Sequence, residues 1–225
     1  MSGEIFAGID SGLTAVGAVV VDVEANPMRV VGMRCIQTHP SHRQHHIFQV
    51  DDDTRRCQEI ARGIRELHRS IPFRGAVVEL PTGGARGSRA NRAMGLAHGV
   101  IIGTLEGLGV PVQGVLPDAV KTAAGGKRLA TKDQVQRGIL KAFDWSAVEA
   151  SFGYLRPLNR WEHIADAAGT VLAARGWAQS PFRALDARSP SSVVEAATPS
   201  GVNHGRGAED RAGGTPPARQ RRSRA

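Results

Sequence analysis

The sequence predicts an α/β fold, a mixed five-stranded sheet flanked by helices. Short apolar runs of strand length recur along the chain, and between them lie longer stretches whose apolar residues repeat at three and four. Two of the runs, Ile5-Phe6-Ala7-Gly8-Ile9-Asp10 and Gly75-Ala76-Val77-Val78-Glu79, end in a carboxylate. Read from end to end, the order is three strands, helix, strand, helix, strand, helix, helix, which is the pattern of one layered domain.

The first run is a buried strand of β-formers closed by a charge. A buried carboxylate without a partner costs several kcal/mol, roughly, so Asp10 needs a cation, a metal ion or water beside it. Gly8 and Gly12 flank it and allow another backbone or a ligand to come close. Ala15 to Asp22 pairs with the first strand through a hairpin, and Arg29 to Ile36 is a third strand. His39, His42, His45 and His46 follow; no cysteine or acid stands at a matching spacing, so they read as a polar surface loop rather than a zinc site. Asp51-Asp52-Asp53 opens a helix, where acids suit the free N–H groups and the dipole. Cys57, Ile60, Ala61, Ile64 and Leu67 give that helix its apolar face, and Pro72 stops it.

Gly75 to Pro81 repeats the first pattern: an apolar strand that delivers an acid, Glu79. Two strands bringing acids to the same end of a sheet predict a shared site there. Thr82 to Arg92 carries Arg86, Arg89 and Arg92 at intervals of three in a Gly-rich, coreless stretch. These guanidinium groups can grip phosphates or simply be solvated. A helix from about Ala90 to Leu108 has Gly95, Gly99, Gly103 and Gly107, one every four residues. Interior glycine costs about 1 kcal/mol relative to alanine, so the stripe predicts close packing, on the sheet or on a partner helix. Val110 to Leu116 is the fifth strand. Lys121, Lys127 and Arg128 surround Gly125-Gly126, and Thr131 with Gln134 forms a capping box for a helix buried through Val135, Ile139, Leu140 and Phe143. Lys132 lies in that helix's first turn, against the dipole preference, so it needs an anion nearby or points to water. Asp144 to Arg160 reads as a connection with several aromatic residues. The last helix starts at Trp161 and packs through Ile164, Ala165, Ala168 and Leu172. On it, His163 and Asp166 stand three apart and project side by side, close enough to serve one metal site.

A chain of 225 residues, 41% hydrophobic, supports one domain with a substantial core and some excess. The excess is the end of the chain. From residue 178 onward Ser, Pro, Gly, Ala and Arg dominate, and eight arginines face four acids. This segment, 178–225, is expected to be a disordered basic tail, and it supplies half of the formal net charge of +8. The basic balance, with a pI of about 10.6, favours a polyanionic partner such as nucleic acid. Two cysteines without metal-type spacing, and the lack of a positive segment followed by a long apolar one, lead to the expectation of a reduced, cytoplasmic protein. No apolar run approaches the roughly 20 residues that cross a bilayer.

Gly8-Ile9-Asp10-Ser11-Gly12-Leu13-Thr14 resembles the opening of RuvC-type Holliday-junction resolvases, and Val77-Val78-Glu79 resembles their second acidic strand. Gly95-Leu96-Ala97-His98-Gly99-Val100 is similar to their central helix. Val120-Lys121 with Thr131-Lys132-Asp133-Gln134-Val135 is similar to their two-lysine segment, and His163-Ile164-Ala165-Asp166-Ala167-Ala168 to their final motif. The resemblance covers roughly residues 4 to 176, and the order and spacing of the motifs make it specific. It departs at Leu80-Pro81-Thr82-Gly83, where the family often carries an aromatic residue. It implies an RNase H-like fold over residues 1–177 and structure-selective cleavage of Holliday junctions or other branched DNA by paired nicks. A homodimer that matches the two-fold symmetry of a junction is implied too, with a branch-migration helicase as a possible partner.

The chemistry can be stated from the residues as well. Phosphodiester hydrolysis has to neutralise a non-bridging oxygen, activate water and stabilise a leaving 3′-oxygen, which two Mg²⁺ ions about 4 Å apart can do, Mn²⁺ being able to substitute. Hard cations take oxygen ligands, so Asp10, Glu79 and Asp166 are the expected holders, with His163 as ligand or water-positioner. Lys121 and Lys132 are expected at the scissile phosphate, and Arg86, Arg89, Arg92 and Lys127 at flanking phosphates. Three rival readings use the same residues. An RNA-processing nuclease is one and a non-catalytic DNA-binding protein on the same scaffold is another. The third is an actin-like ATPase or sugar kinase, whose Asp-x-Gly-x-Thr turn faces nucleotide phosphates but which needs two such domains and a longer chain.

Overall fold

The computed structural model describes residues 4–41, 48–80, 87–151 and 160–175. His42, His45, His46, Arg86, the boundary at residue 177 and the segment 178–225 lie outside the described residues. The strands are β1 (Ile5–Asp10), β2 (Ala15–Asp22), β3 (Met28–Gln37), β4 (Gly75–Glu79), β5 (Val112–Val115) and β6 (Phe143–Asp144). The helices are α1 (Gln49–Ser70), α2 (Ser88–Gly107), α3 (Pro117–Gly125), α4 (Lys132–Ala142) and α5 (Arg160–Arg175). One mixed sheet runs in the order β5-β4-β1-β2-β3-β6. The pairs β1–β2 and β2–β3 are antiparallel, while β1–β4, β4–β5 and β3–β6 are parallel.

The sheet has six strands rather than five because Phe143-Asp144 leaves α4 in extended conformation and pairs with Met28 and Arg29. Two residues carry no period that a sequence can show. Asp144 holds its corner by accepting from the Ser146 backbone N–H at 3.0 Å and pairing with Arg29 at 3.4 Å. A short 3₁₀ turn, Ser146–Ser151, continues the segment expected to be a plain connection. Trp145 packs edge-on against both Phe143 and Trp161, so the aromatic residues of this connection seal one end of the core.

Apolar side chains on the two sheet faces make two large cores, beside a smaller cluster of Val77, Val115, Val120, Ala173 and Ala174. One packs β1, β2 and β4 against α1 and α2 through Ile9, Val16, Val20, Ile60, Ile64, Val78, Ile101 and Leu105. The other packs Val19, Val21, Met28 and Val30 against α4 and α5 through Ile139, Ile164 and Ala168. The capping box of α4 forms as the sequence indicates, with the Gln134 N–H donating to Thr131 Oγ1 and the Thr131 N–H to Gln134 Oε1. Leu140, assigned to the buried side of that helix, is 48% exposed.

α1 begins at Gln49, two residues before Asp51, and Phe48 gives no side-chain cap, so Asp51 and Asp52 lie in the first turn as the sequence indicates. Asp52 and Asp53 are also buried and act as cross-braces. Asp52 accepts from the Ser41 N–H, the Ser41 hydroxyl and Arg55, and Asp53 accepts from Gln49 and, at 2.6 Å, from Arg92 on α2. The glycine stripe of α2 does not pack on the sheet. The face against the sheet is Ala97, Ile101 and Leu105, two positions and thus about half a turn away from Gly99 and Gly103. A Cβ built on Gly95, Gly99, Gly103 or Gly107 would meet nothing within 4 Å.

Candidate active site

β1 and β4 run parallel, with Ile9 beside Val78, so the next residue on each strand, Asp10 and Glu79, leaves the sheet at the same end. The turn after Asp10 is tied down from both sides. Ser11 Oγ donates to the Glu79 carbonyl at 3.1 Å and joins the two strand ends. Thr38 Oγ1 donates to the Leu13 carbonyl at 2.5 Å. Arg56, only 6% exposed, donates through Nε to Thr38 Oγ1 at 2.8 Å and through a terminal nitrogen to Thr14 Oγ1 at 3.2 Å. A buried guanidinium thus sets the loop that follows the acid, at a position that the apolar spacing of α1 does not single out.

α5 supplies the other half of the site because two glycines let it lie directly on the strands. A Cβ at Gly8 would collide with the Ala167 carbonyl, and a Cβ at Gly17 with the His163 carbonyl. Gly17 is the cross-strand partner of Asp10, so the same close approach sets His163 over the acid. His163 Nδ1 lies 2.8 Å from Asp10 Oδ2. A carboxylate only accepts, so Nδ1 carries the proton. Of the sequence-derived candidates, the structure brings Asp10, Glu79, His163 and Asp166 together at this end of the sheet. Lys121 on α3 and Lys132 on α4 are near enough for their charges to act on Glu79 and Asp166 respectively.

The electrostatics of the cluster are those of like charges in a half-buried place. Burial, with the charges of Asp10 and Asp166 added, pushes the Glu79 carboxyl up to about 8 against the pull of Lys121. Burial first, then Asp10 and Glu162, pushes Asp166 up to about 6, opposed by His163 and Lys132. The hydrogen bond to Asp10 raises His163 against the effect of burial. Among the described residues no three His, Cys, Asp or Glu side chains close into a single coordination shell. The donor set still fits a hard divalent cation: three carboxyl groups repel one another, and a bound cation would relieve that repulsion.

Other candidates are placed differently. Arg92 is committed to Asp53 and braces α1 against α2. Arg89 reaches the Gln49 side-chain carbonyl at 3.1 Å. Lys127 is exposed beside the turn that ends α3, and Arg86 is not among the described residues. Sequence reasoning missed Glu162, whose carboxylate accepts from the Lys132 ammonium. The signal available for it was a cation at the start of a capped helix with no partner in sight.

A mixed sheet with an acid at each of two parallel strand ends, crossed by a helix that brings a third acid and a histidine, defines the class: an RNase H-like domain with an acid cluster at one end of its sheet. The comparisons with known proteins bear on the fold and the family. The chain is 33% identical over 180 residues to the crossover junction endodeoxyribonuclease RuvC of Moorella thermoacetica, covering 80% of this chain and 94% of that one. It is 30% identical over 172 residues to the RuvC of Parasynechococcus marenigrum, covering 76% and 97%. Among solved structures, Thermus thermophilus RuvC in complex with a Holliday junction substrate superposes with a TM-score of 0.62 at 24% identity over 80% of this chain and 97% of that one. The yeast mitochondrial Holliday junction resolvase Ydc2 superposes with a TM-score of 0.55 at 11% identity, over 76% and 77%. No family model matches the chain. The chain belongs to the RuvC family of crossover junction endodeoxyribonucleases.

Proposed function

We propose that this protein resolves Holliday junctions or related branched DNA by paired, Mg²⁺-dependent nicks. The observation that carries the reading is the meeting of Asp10, Glu79 and Asp166 at one end of the sheet, with Glu79 held up to about 8 by burial and its two neighbours' charges. When bound, Mg²⁺ supplies neutralisation of a non-bridging oxygen and activation of water, with two ions per site and Mn²⁺ able to substitute.

Asp10, Glu79 and Asp166 offer the oxygen donors for it. His163 holds Asp10 in one orientation by donating its Nδ1–H, which leaves the second Asp10 oxygen as the one without that bond. Lys121 and Lys132 place positive charge where an anion grows at the scissile phosphate. Arg86, Arg89 and Lys127 are assigned to flanking phosphates, so affinity falls as salt rises. Arg92, paired with Asp53, is better read as a brace.

The open glycine stripe of α2 supports a homodimer in which two such sites match the two-fold symmetry of a junction. Residues 1–177 are assigned to the nuclease and 178–225 to a basic appendage. Removing 178–225 is expected to leave nicking intact at low salt. Among the described residues no helix is long and apolar enough to cross a membrane. The test of function is nicking of a synthetic four-way junction, a flap, a plain duplex and an RNA–DNA hybrid side by side in Mg²⁺. The four-way junction should be cut in opposing strands, and equal cutting of the plain duplex or preference for the hybrid would refute the reading.

A further inference from the structure

Lys132 is the first residue of α4, where the free N–H groups of the helix end disfavour a cation. Its side chain is 75% exposed, and a four-carbon stem so placed samples many rotamers. Glu162, 32% exposed in its side chain and directly before His163 on α5, accepts a hydrogen bond from the Lys132 ammonium. The ammonium is also within electrostatic reach of Asp166, one turn further along α5. The contact spans 30 positions of sequence and is the one ion pair between α4 and α5 among the described residues.

We propose that Glu162 is a positioning residue for Lys132: it parks the ammonium at the rim of the acid cluster and yields it to the DNA phosphate when the strand docks. The proposal rests on the nuclease reading above and deepens it. A surface pair of this kind contributes little to stability, because solvent screens it and two long side chains must be ordered to make it. Its consequence lies in geometry. Held against α5, Lys132 reaches the docked phosphate by a short displacement. Released, it must be ordered in each turnover. Glu162 also sets one negative charge beside the incoming phosphate, so its removal should help binding slightly while it harms the chemical step.

The test compares wild type, Glu162→Gln, Glu162→Asp and the exchanged pair Lys132→Glu with Glu162→Lys. Single-turnover nicking of a four-way junction is followed by acylation of Lys132 in the protein without DNA or metal, read by mass spectrometry. Glu162→Gln should lower the maximal nicking rate about tenfold with the junction dissociation constant unchanged or lower, and should speed Lys132 acylation. Glu162→Asp and the exchanged pair should each recover part of the rate. An unchanged rate in Glu162→Gln would overturn the proposal. So would a melting temperature lowered enough to account for the loss, or acylation equally fast in both proteins. A wild-type protein that nicks no branched DNA would instead defeat the nuclease reading and this proposal with it, a result distinct from failure of the variant alone.

Discussion

Asp52 and Asp53 at the start of α1 are each matched to donors, whereas Asp10, Glu79 and Asp166 stand within reach of one another's charge. Burial by itself would raise Asp52, yet hydrogen bonds from Ser41 and Arg55 carry it down to about 2. Burial raises Glu79 too, the acids beside it add to the rise, and against the pull of Lys121 it reaches about 8. Both clusters bury carboxyl groups on one domain. The first is complete within the chain and joins α1 to α2. In the second, Lys121, Lys132 and His163 only partly offset the acids, and Glu79 and Asp166 stay raised until something from outside completes the site. This contrast, more than the presence of acids, separates a structural cluster from a site.

The largest expected effect is on chemistry. Asp10→Asn should reduce Mg²⁺-dependent junction nicking by about 10²–10³-fold or more while gel-shift binding of the junction persists. The same substitution logic applied to Asp52 should leave nicking per folded molecule unchanged.

The next effect is on stability, and its sign differs between the clusters. A carboxyl whose folded pKa is raised binds more protons in the folded state, so folding loses stability as pH climbs from about 4.5 to about 8. Glu79→Gln should therefore stabilise the metal-free protein, by about 2–3 kcal/mol at pH 8 and by little at pH 4, in urea melts. A carboxyl whose folded pKa is depressed contributes stability above its unfolded value near 3.8 that is lost as pH falls towards 2. Asp52→Asn should therefore cost about 1–2 kcal/mol at pH 7, with the difference vanishing near pH 2. If both variants shift stability in the same direction at pH 8, the distinction between the clusters fails.

Smaller effects sharpen the picture. Arg92→Met leaves Asp53 buried with only Gln49, and should cost about 1–2 kcal/mol in denaturant melts without altering the salt slope of junction binding. Gly99→Ala meets no atoms within 4 Å and should stabilise an isolated chain by about 0.5–1 kcal/mol. If it instead weakens self-association in sedimentation equilibrium, the open stripe of α2 is the contact between subunits.

Much of the fold was legible because it is periodic. β1, β2 and β4 announce themselves as apolar runs, α4 by its capping box, and the apolar face of α1 by its spacing. The acids of the site were legible for a related reason: a charge that ends an apolar strand contradicts its own context. Other features depend on directions or partners that spacing does not encode. The glycines of α2 mark a face, but not which way it points. Arg56 looks like its neighbours Arg55 and Arg62, and only the position of Thr14 and Thr38 shows it to be buried. Gly17 reads as one more small strand residue until α5 is laid across it. Glu162 lies beside a histidine that drew attention first, and its partner Lys132 belongs to a different helix.

The central claim, that the site acids are held in mutual repulsion which a divalent cation relieves, is tested most directly by carboxyl-carbon NMR titration of Glu79 with and without Mg²⁺. The account predicts titration near 8 in the metal-free protein and a fall of more than one pH unit when Mg²⁺ is added. Titration in the ordinary carboxylate range without metal, or a value that Mg²⁺ does not move, would contradict it.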